Sequence, residues 1–461
     1  MSEAGRRIGP RVVQLSIPGL TAGDLAHMPR TTGLAGTTVP LRPRFPAVTC
    51  PVHAASTTGV EPGGPDGHGV TANGFYWRGG TDVPEHSRPG TVELWTAWEG
   101  AVRSPRVWDT LRGADPALTS AVWFPMPIKG ATADTVCTPA PIHNPDGSES
   151  LWCYTEPESL YGELKETLGH FPLMNFWGPL SSVKSSRWIA DSAVLAQRTH
   201  PTRYLFVYLP HLDYAAQKFG PDSPQHRTAV GELDEVIGTL EDGLADAFAG
   251  DAVTWLIAGE YAITPVSGPA FPNRVLREAG LLTPTEKDGA EHLDPAATPA
   301  FALCDHQLAH VYLRDPADAD RAADALRSAD AVGRVYAGGE RAELGLDDPR
   351  AGDLVLTAER DRWFAYYWWA DEAKAPPFAR TVDIHRKPGY DPVEMFLVPG
   401  TRETPLDASL VRGSHGLTRG TGGGADTDTV LLTCAPALTG GAESVTHTDL
   451  PGMVRAAFGV G

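Results

Sequence analysis

Threonine 49 stands where a hydroxyl could do chemistry. It follows the strand-like run "FPAV" and precedes "HAASTTG", which reads as the start of a helix. A hydroxyl at a helix N-terminus lies beside backbone N–H groups that favour an oxyanion or a phosphate. Threonine is also a good helix cap, and position alone favours that plainer role. Asp213, in "YLPHLDYAAQKFG", comes two residues after His211. In extended backbone both side chains share one face, a geometry suited to a hard or borderline metal; the alternative makes Asp213 the cap of a short helix. Glu260 closes the apolar run of "VTWLIAGEY". Burying it unpaired would be costly, so a cation, an arginine or solvent must receive it. Three further histidine contexts are Asp305-His306 in "LCDHQLAH", His385 in "VDIHRKPGYDP" and His415 in "GSHG". The glycines around His415 let backbone approach a ligand closely, but a metal site needs several such residues to converge. Arg386 and Lys387, beside His385, are candidates for an anionic substrate, with solvated surface charge as the default.

These residues must be positioned by an α/β framework. "RVVQLSI" precedes the helical "TAGDLAHM", and "TRYLFVYLP" precedes "AVGELDEVIGTLEDGLADAFA", which leads into "AVTWLIA". Strand, helix and strand in that order indicate parallel β-α-β units. Ligands of such open sheets collect beyond the carboxyl ends of the strands. Pro18-Gly19, His211-Leu212-Asp213 and Gly259-Glu260-Tyr261 should therefore share one rim. After about residue 265 the pattern changes to short helices and strands, then returns with "DTVLLTCAP". This predicts a core over 1–265, an inserted α+β cap over 266–374, and the rest of the core over 375–461. The aromatic run "WFAYYWWADE" is expected in packing rather than in a ligand cage.

A chain of 461 residues with 42% hydrophobic residues can build a substantial core. Its formal charge of −19 argues against a nucleic acid as standing partner. No run approaches a membrane span, and the N-terminal "MSEAGRRIGPRVVQLSIPGL" reads as a first strand rather than a secretory signal. Five cysteines at irregular spacing, with no C-x-x-C pair, point to reduced thiols and a cytoplasmic location.

Thr49, His53, Gly59, Pro62, His68-Gly69 and Asn73 stand in an order that resembles the nucleophile segment of the nucleotide pyrophosphatase/phosphodiesterase family, within the alkaline phosphatase superfamily. "TCPVH", "TTGVEP", "HG" and "NGFY" parallel that family's Thr-Phe-Pro-Asn-His, Thr-Gly-Leu-x-Pro, His-Gly and Asn-aromatic motifs. "YLPHLDYAAQKFGP" resembles its Asp-x-x-x-His segment, "WLIAGEYAITPV" its Ser-Asp-His-Gly-Met strand end, and "GSHG" its final Thr-His-Gly. The chain is also similar to a bacterial subfamily carrying "YLPHLDY" and "VDIHRKPGYDP". The resemblance implies an alkaline-phosphatase-like three-layer α/β sandwich with a mainly parallel sheet, a Thr49 nucleophile, and Asn73 on the phosphoryl oxygens. It also implies two zinc ions. Only Thr49, Asp213 and His415 match the family's ligands outright, because Pro18, Gln217 and Glu260-Tyr261 stand at the other positions. The expectation is a divalent metal, zinc before manganese or iron and one ion sufficing, held by Asp213, His415, Glu260 and His385. His211, His306, Arg386 and Lys387 would serve the substrate, a small phosphorylated metabolite. The lost ligands leave two alternatives: a non-phosphoryl step of specialised metabolism at a rebuilt site, or a binding protein without turnover.

Overall fold

The computed structural model describes residues 11–78, 86–95, 97–143 and 149–460; the first ten residues, with Arg6 and Arg7, lie outside them. Its main sheet has eight strands. From one edge they run Thr37–Leu41, Thr429–Thr433, Val253–Gly259, Arg11–Ile17, Tyr204–Tyr208, Ser120–Trp123, Thr135–Pro139 and Cys153–Glu156. The five strands from Val253–Gly259 to Thr135–Pro139 are mutually parallel, and antiparallel pairings flank them on both sides. The central strands are mostly apolar because helices cover both faces. Tyr204–Tyr208 is accordingly buried at every position.

The long helices Val183–Thr199 and Pro224–Ala247 pack against each other, and the latter contributes Val230, Leu233, Val236, Ile237, Leu240 and Leu244 to the main core. That spacing is the amphipathic stripe legible in the sequence. No described helix is long and apolar enough to cross a membrane.

A second core gathers residues between Val266 and Val411 around a four-stranded antiparallel sheet, ordered Ala300–Asp305, Leu308–Leu313, Leu354–Ala358 and Val332–Ala337. The buried run Trp363 to Trp369 belongs to it, so those aromatics serve packing. The first two strands form a hairpin whose turn is His306-Gln307. This turn is held to the main body, since Gln307 N–H donates to the His415 carbonyl at 2.9 Å.

Beyond the parallel strands the chain continues the ladder for a few residues. Glu260 N–H donates to the Ile17 carbonyl, Gly19 N–H to the Tyr261 carbonyl and Leu209 N–H to the Ser16 carbonyl, at 2.9, 2.9 and 3.0 Å. These bonds fix the rim on which Asp213, Glu260 and Tyr261 stand.

Candidate active site

Thr49 opens the helix Thr49–Thr58, and extended Val48 is its N-cap. The Thr49 side chain makes no capping bond. Its Oγ1 lies 2.9 Å from the Tyr261 hydroxyl instead, and Thr49 is 3% exposed. The helix end is satisfied by Asn73, whose Oδ1 accepts from Cys50 N–H at 2.9 Å; the next residue, Pro51, has no N–H to offer. Asn73 is in turn gripped by Asp305, which accepts from its backbone N–H at 2.8 Å and from its Nδ2 at 3.1 Å.

Asp213 lies in the third position of the helix His211–Phe219, not in an extended segment. Two residues apart on a helix, His211 and Asp213 point in different directions. His211 pairs with Glu232 at 2.8 Å, while Asp213 Oδ1 accepts from the Tyr261 hydroxyl at 3.4 Å. Burial raises the Asp213 carboxyl to about 7, with the neighbouring charge of Glu260 adding to the effect.

Four aromatic rings follow one another in contact beside this carboxylate. Tyr261 lies on His415 at 3.7 Å and 6°, His415 on His306 at 3.7 Å and 38°, and His306 on Tyr390 at 3.7 Å and 21°. Hydrogen bonds set each histidine's tautomer. His415 Nδ1–H donates to the Ala47 carbonyl at 2.9 Å and His306 Nδ1–H to Asp305 at 2.7 Å, so each Nε2 carries a lone pair. Among the described residues neither Nε2 has a hydrogen-bond partner, and that of His415 lies 3.9 Å from Asp213 Oδ1. Burial pushes both imidazoles well below the usual histidine range. His306 holds a left-handed backbone, φ 59°, unusual for a residue with a side chain and placed here at a hairpin turn. The Tyr390 hydroxyl donates to Gln217 Oε1 at 2.8 Å.

The remaining expected residues lie elsewhere. Glu260 is buried and received by two groups the sequence did not suggest: Ser16 Oγ–H and His53 Nε2–H both donate to its Oε1 at 2.8 Å. Met126 N–H donates to His53 Nδ1 at 3.0 Å and so fixes that tautomer. His385 is exposed, and exposed Arg386 pairs with Asp383. Lys387 is buried between Asp391 and Glu394 at 2.9 and 2.7 Å, so its charge is spent inside the fold. Thr49, Asn73, Asp213, His306 and His415 thus come together; His211, His385, Arg386 and Lys387 do not join them. Sequence reasoning missed the parts played by Tyr261, Tyr390, Gln217 and Asp305. Tyr261 did carry a signal, as a phenol in a place where the resembling family has an imidazole. A cavity of about 780 Å³ lined by Gly19, Asp24, Ala216, His226 and Ile263, among others, includes none of the gathered residues.

A mainly parallel sheet with a buried threonine opening a helix beside its carboxyl rim defines the class as an alkaline-phosphatase-like α/β protein. The chain belongs to the type I phosphodiesterase/nucleotide pyrophosphatase family, whose model matches residues 12–391. It is 25% identical over 262 residues to an uncharacterized pyrophosphatase/phosphodiesterase of Schizosaccharomyces pombe, a match covering 56% of this chain and 45% of that relative. The chain thus spans about half the length of that curated relative. Two solved structures share its fold. Murine ectonucleotide pyrophosphatase/phosphodiesterase 5 has 16% identity and a TM-score of 0.57, and the human protein 15% and 0.59, each match covering 98% of this chain and 95% of the other. The murine protein is also known as an inactive threonine-to-alanine form in complex with AMP.

The family generally uses a divalent metal, zinc, and the residues present do not fit a zinc pair. Zinc takes imidazole nitrogen along the in-plane lone pair. The His306 and His415 rings meet tilted at 38°, and His415 Nε2 lies 3.9 Å from Asp213 Oδ1, so one imidazole and one carboxylate face each other, fewer ligands than a zinc pair takes. Glu260 Oε1 is taken by Ser16 and His53, while its Oε2 has no partner among the described residues; His385 is exposed, Gln217 Oε1 is held by Tyr390, and the Pro18 side chain has no ligand atom. Among the described residues no three His, Cys, Asp or Glu side chains are grouped to hold an ion.

Proposed function

We propose that the protein hydrolyses a phosphodiester or pyrophosphate bond in a small phosphorylated metabolite, with Thr49 as nucleophile. The observation that carries this reading is the Thr49 hydroxyl: it opens a helix, is not spent on capping, and turns into a buried polar site. The murine relative bound to AMP supports a nucleotide-like substrate. Asn73 uses its carbonyl on Cys50 and one Nδ2–H on Asp305, so its second N–H is left for a phosphoryl oxygen. Thr49 would attack phosphorus, the ester oxygen would leave, and water would then release the phosphoryl group from the threonine. Half-buried Trp95 and Trp177 flank Tyr390 and offer apolar walls for the rest of the substrate.

Thr49→Ala tests the reading. With bis(4-nitrophenyl) phosphate as probe, turnover should fall by about 10³-fold or more, as for other nucleophile deletions. Circular dichroism should show the fold unchanged. Quenched wild type should carry the added 4-nitrophenyl phosphoryl mass on the peptide containing Thr49. A well-folded variant with wild-type turnover would remove Thr49 from the chemistry.

A further inference from the structure

Resting on Thr49 as nucleophile, we infer that Tyr261 replaces a metal ion as the group that orients and activates it. The phenol oxygen lies 2.9 Å from Thr49 Oγ1 and 3.4 Å from Asp213 Oδ1, bridging nucleophile and carboxylate directly. The hydrogens on this bridge are ordered. With Asp213 ionised, as the step requires, the carboxylate only accepts and the phenol has one proton, so the phenol donates to Asp213 and the Thr49 hydroxyl donates to the phenol. A lone pair of Thr49 is thereby left to face phosphorus.

The bridge fills the space in which an ion touching both Thr49 and Asp213 would lie, and it cannot swing aside. Tyr261 is 1% exposed, and its ring is stacked on His415 at 3.7 Å. His415 is itself pinned by the Ala47 carbonyl, and the Tyr261 carbonyl accepts from Gly19 N–H. The position that supplies an imidazole in the resembling family supplies a fixed hydroxyl here, in a chain that also has Pro18 and Gln217 at other ligand positions.

The step balances without a metal. As Thr49 Oγ1 bonds to phosphorus, the bond from phosphorus to the leaving oxygen breaks. The Thr49 proton passes to the Tyr261 oxygen, the Tyr261 proton passes to Asp213, and the leaving oxygen takes a proton from water. When water attacks the threonyl ester, the P–Oγ1 bond breaks and both protons return along the same path. The attacking water gives its own proton to solvent.

The experiment combines Tyr261→Phe, which keeps the stacked ring, with metal analysis of the full chain. Wild type dialysed against EDTA should contain no stoichiometric zinc, manganese or iron by mass spectrometry. It should show no zinc uptake by calorimetry with zinc sulfate, a readout that needs no substrate. On bis(4-nitrophenyl) phosphate it should keep its kcat within about twofold after chelation, while Tyr261→Phe lowers kcat by about 100-fold at nearly unchanged KM, the scale of general acid–base catalysis. Chelated wild type that is inactive, or takes up zinc in a way lost in Asp213→Ala and His415→Ala, would overturn the inference. So would full kcat in Tyr261→Phe while Thr49→Ala is inactive. Full activity of Thr49→Ala would instead overturn the nucleophile reading beneath it.

Discussion

At the scale of single residues, the site depends on how Asn73 and Asp305 share protons. Asp305 accepts two hydrogen bonds from Asn73, and burial already raises its carboxyl above the usual range. Asn73→Asp would replace the donor 3.1 Å from Asp305 Oδ1 with a second carboxylate oxygen, both of them buried. Two carboxylates at that distance cannot both ionise, and a buried charge without its partner costs about 3–5 kcal/mol. The loss should be largest at pH 8 and shrink at pH 5.5. A carboxyl whose folded value is raised destabilises above that value and is relieved as it takes up its proton. Urea unfolding at the two pH values measures this; equal losses at both would show that the carboxylates are not the cause. At this scale the sequence was informative where residue type and order coincide, as at Thr49, Asp213 and His415. Tyr261 was harder to read, because its role depends on a bridge between strand end and helix that no spacing reveals.

At the scale of elements, the rim is shaped by the end of the strand Val253–Gly259. A Cβ on Gly259 would overlap Thr429 Oγ1 and lie 2.7 Å from the Leu20 carbonyl oxygen. Backbone cannot step aside as a side-chain tip can, so Gly259→Ala should cost about 1–3 kcal/mol, the range for overpacking. It should also shift Glu260 and Tyr261, and therefore lower activity by more than stability alone predicts. Gly231 provides the contrast: it lies inside the helix Pro224–Ala247 with nothing within 4 Å of an added Cβ. Gly231→Ala should stabilise by about 1 kcal/mol through helix propensity. Thermal melts of both variants would settle this, and equal effects would sink the steric argument. The parallel units were legible because apolar runs and a heptad-like stripe alternate. The helical state of His211–Phe219 was also written in the sequence, with Pro210 before it and Gly220 at φ 94° after it. Residue type alone left an extended His211–Asp213 pair beside the short helix, and that punctuation favours the helix.

At the scale of the whole molecule, the site is assembled from both cores, and a buried histidine joins them away from the chemistry. His310 lies on the strand Leu308–Leu313 of the second core. Its Nε2–H donates to the Thr71 carbonyl at 3.1 Å, just before Asn73, and its Nδ1 accepts from Gly352 N–H at 3.0 Å. A nitrogen already receiving a backbone N–H cannot take a proton without breaking that bond, and burial lowers the imidazole to about 4. Sequence could not supply this link, since the partners are backbone groups 239 and 42 positions away. The pH dependence follows from the sign of the shift. Below about 6.5 the unfolded chain binds a proton at His310 that the native chain refuses, so stability is full above that pH and falls as pH drops toward 4. Two pH units at about 1.4 kcal/mol each make this about 2–3 kcal/mol by pH 4.5. Other buried groups titrate in the same window, so a difference between variants isolates the effect. His310→Gln should lose about 1–3 kcal/mol at pH 7.5 by leaving Gly352 N–H unpaired. It should also shed the acid penalty, so the gap to wild type in urea unfolding narrows at pH 4.5 by about 2–3 kcal/mol. A gap of constant size would mean that His310 takes up its proton as readily in the native protein as in the unfolded chain.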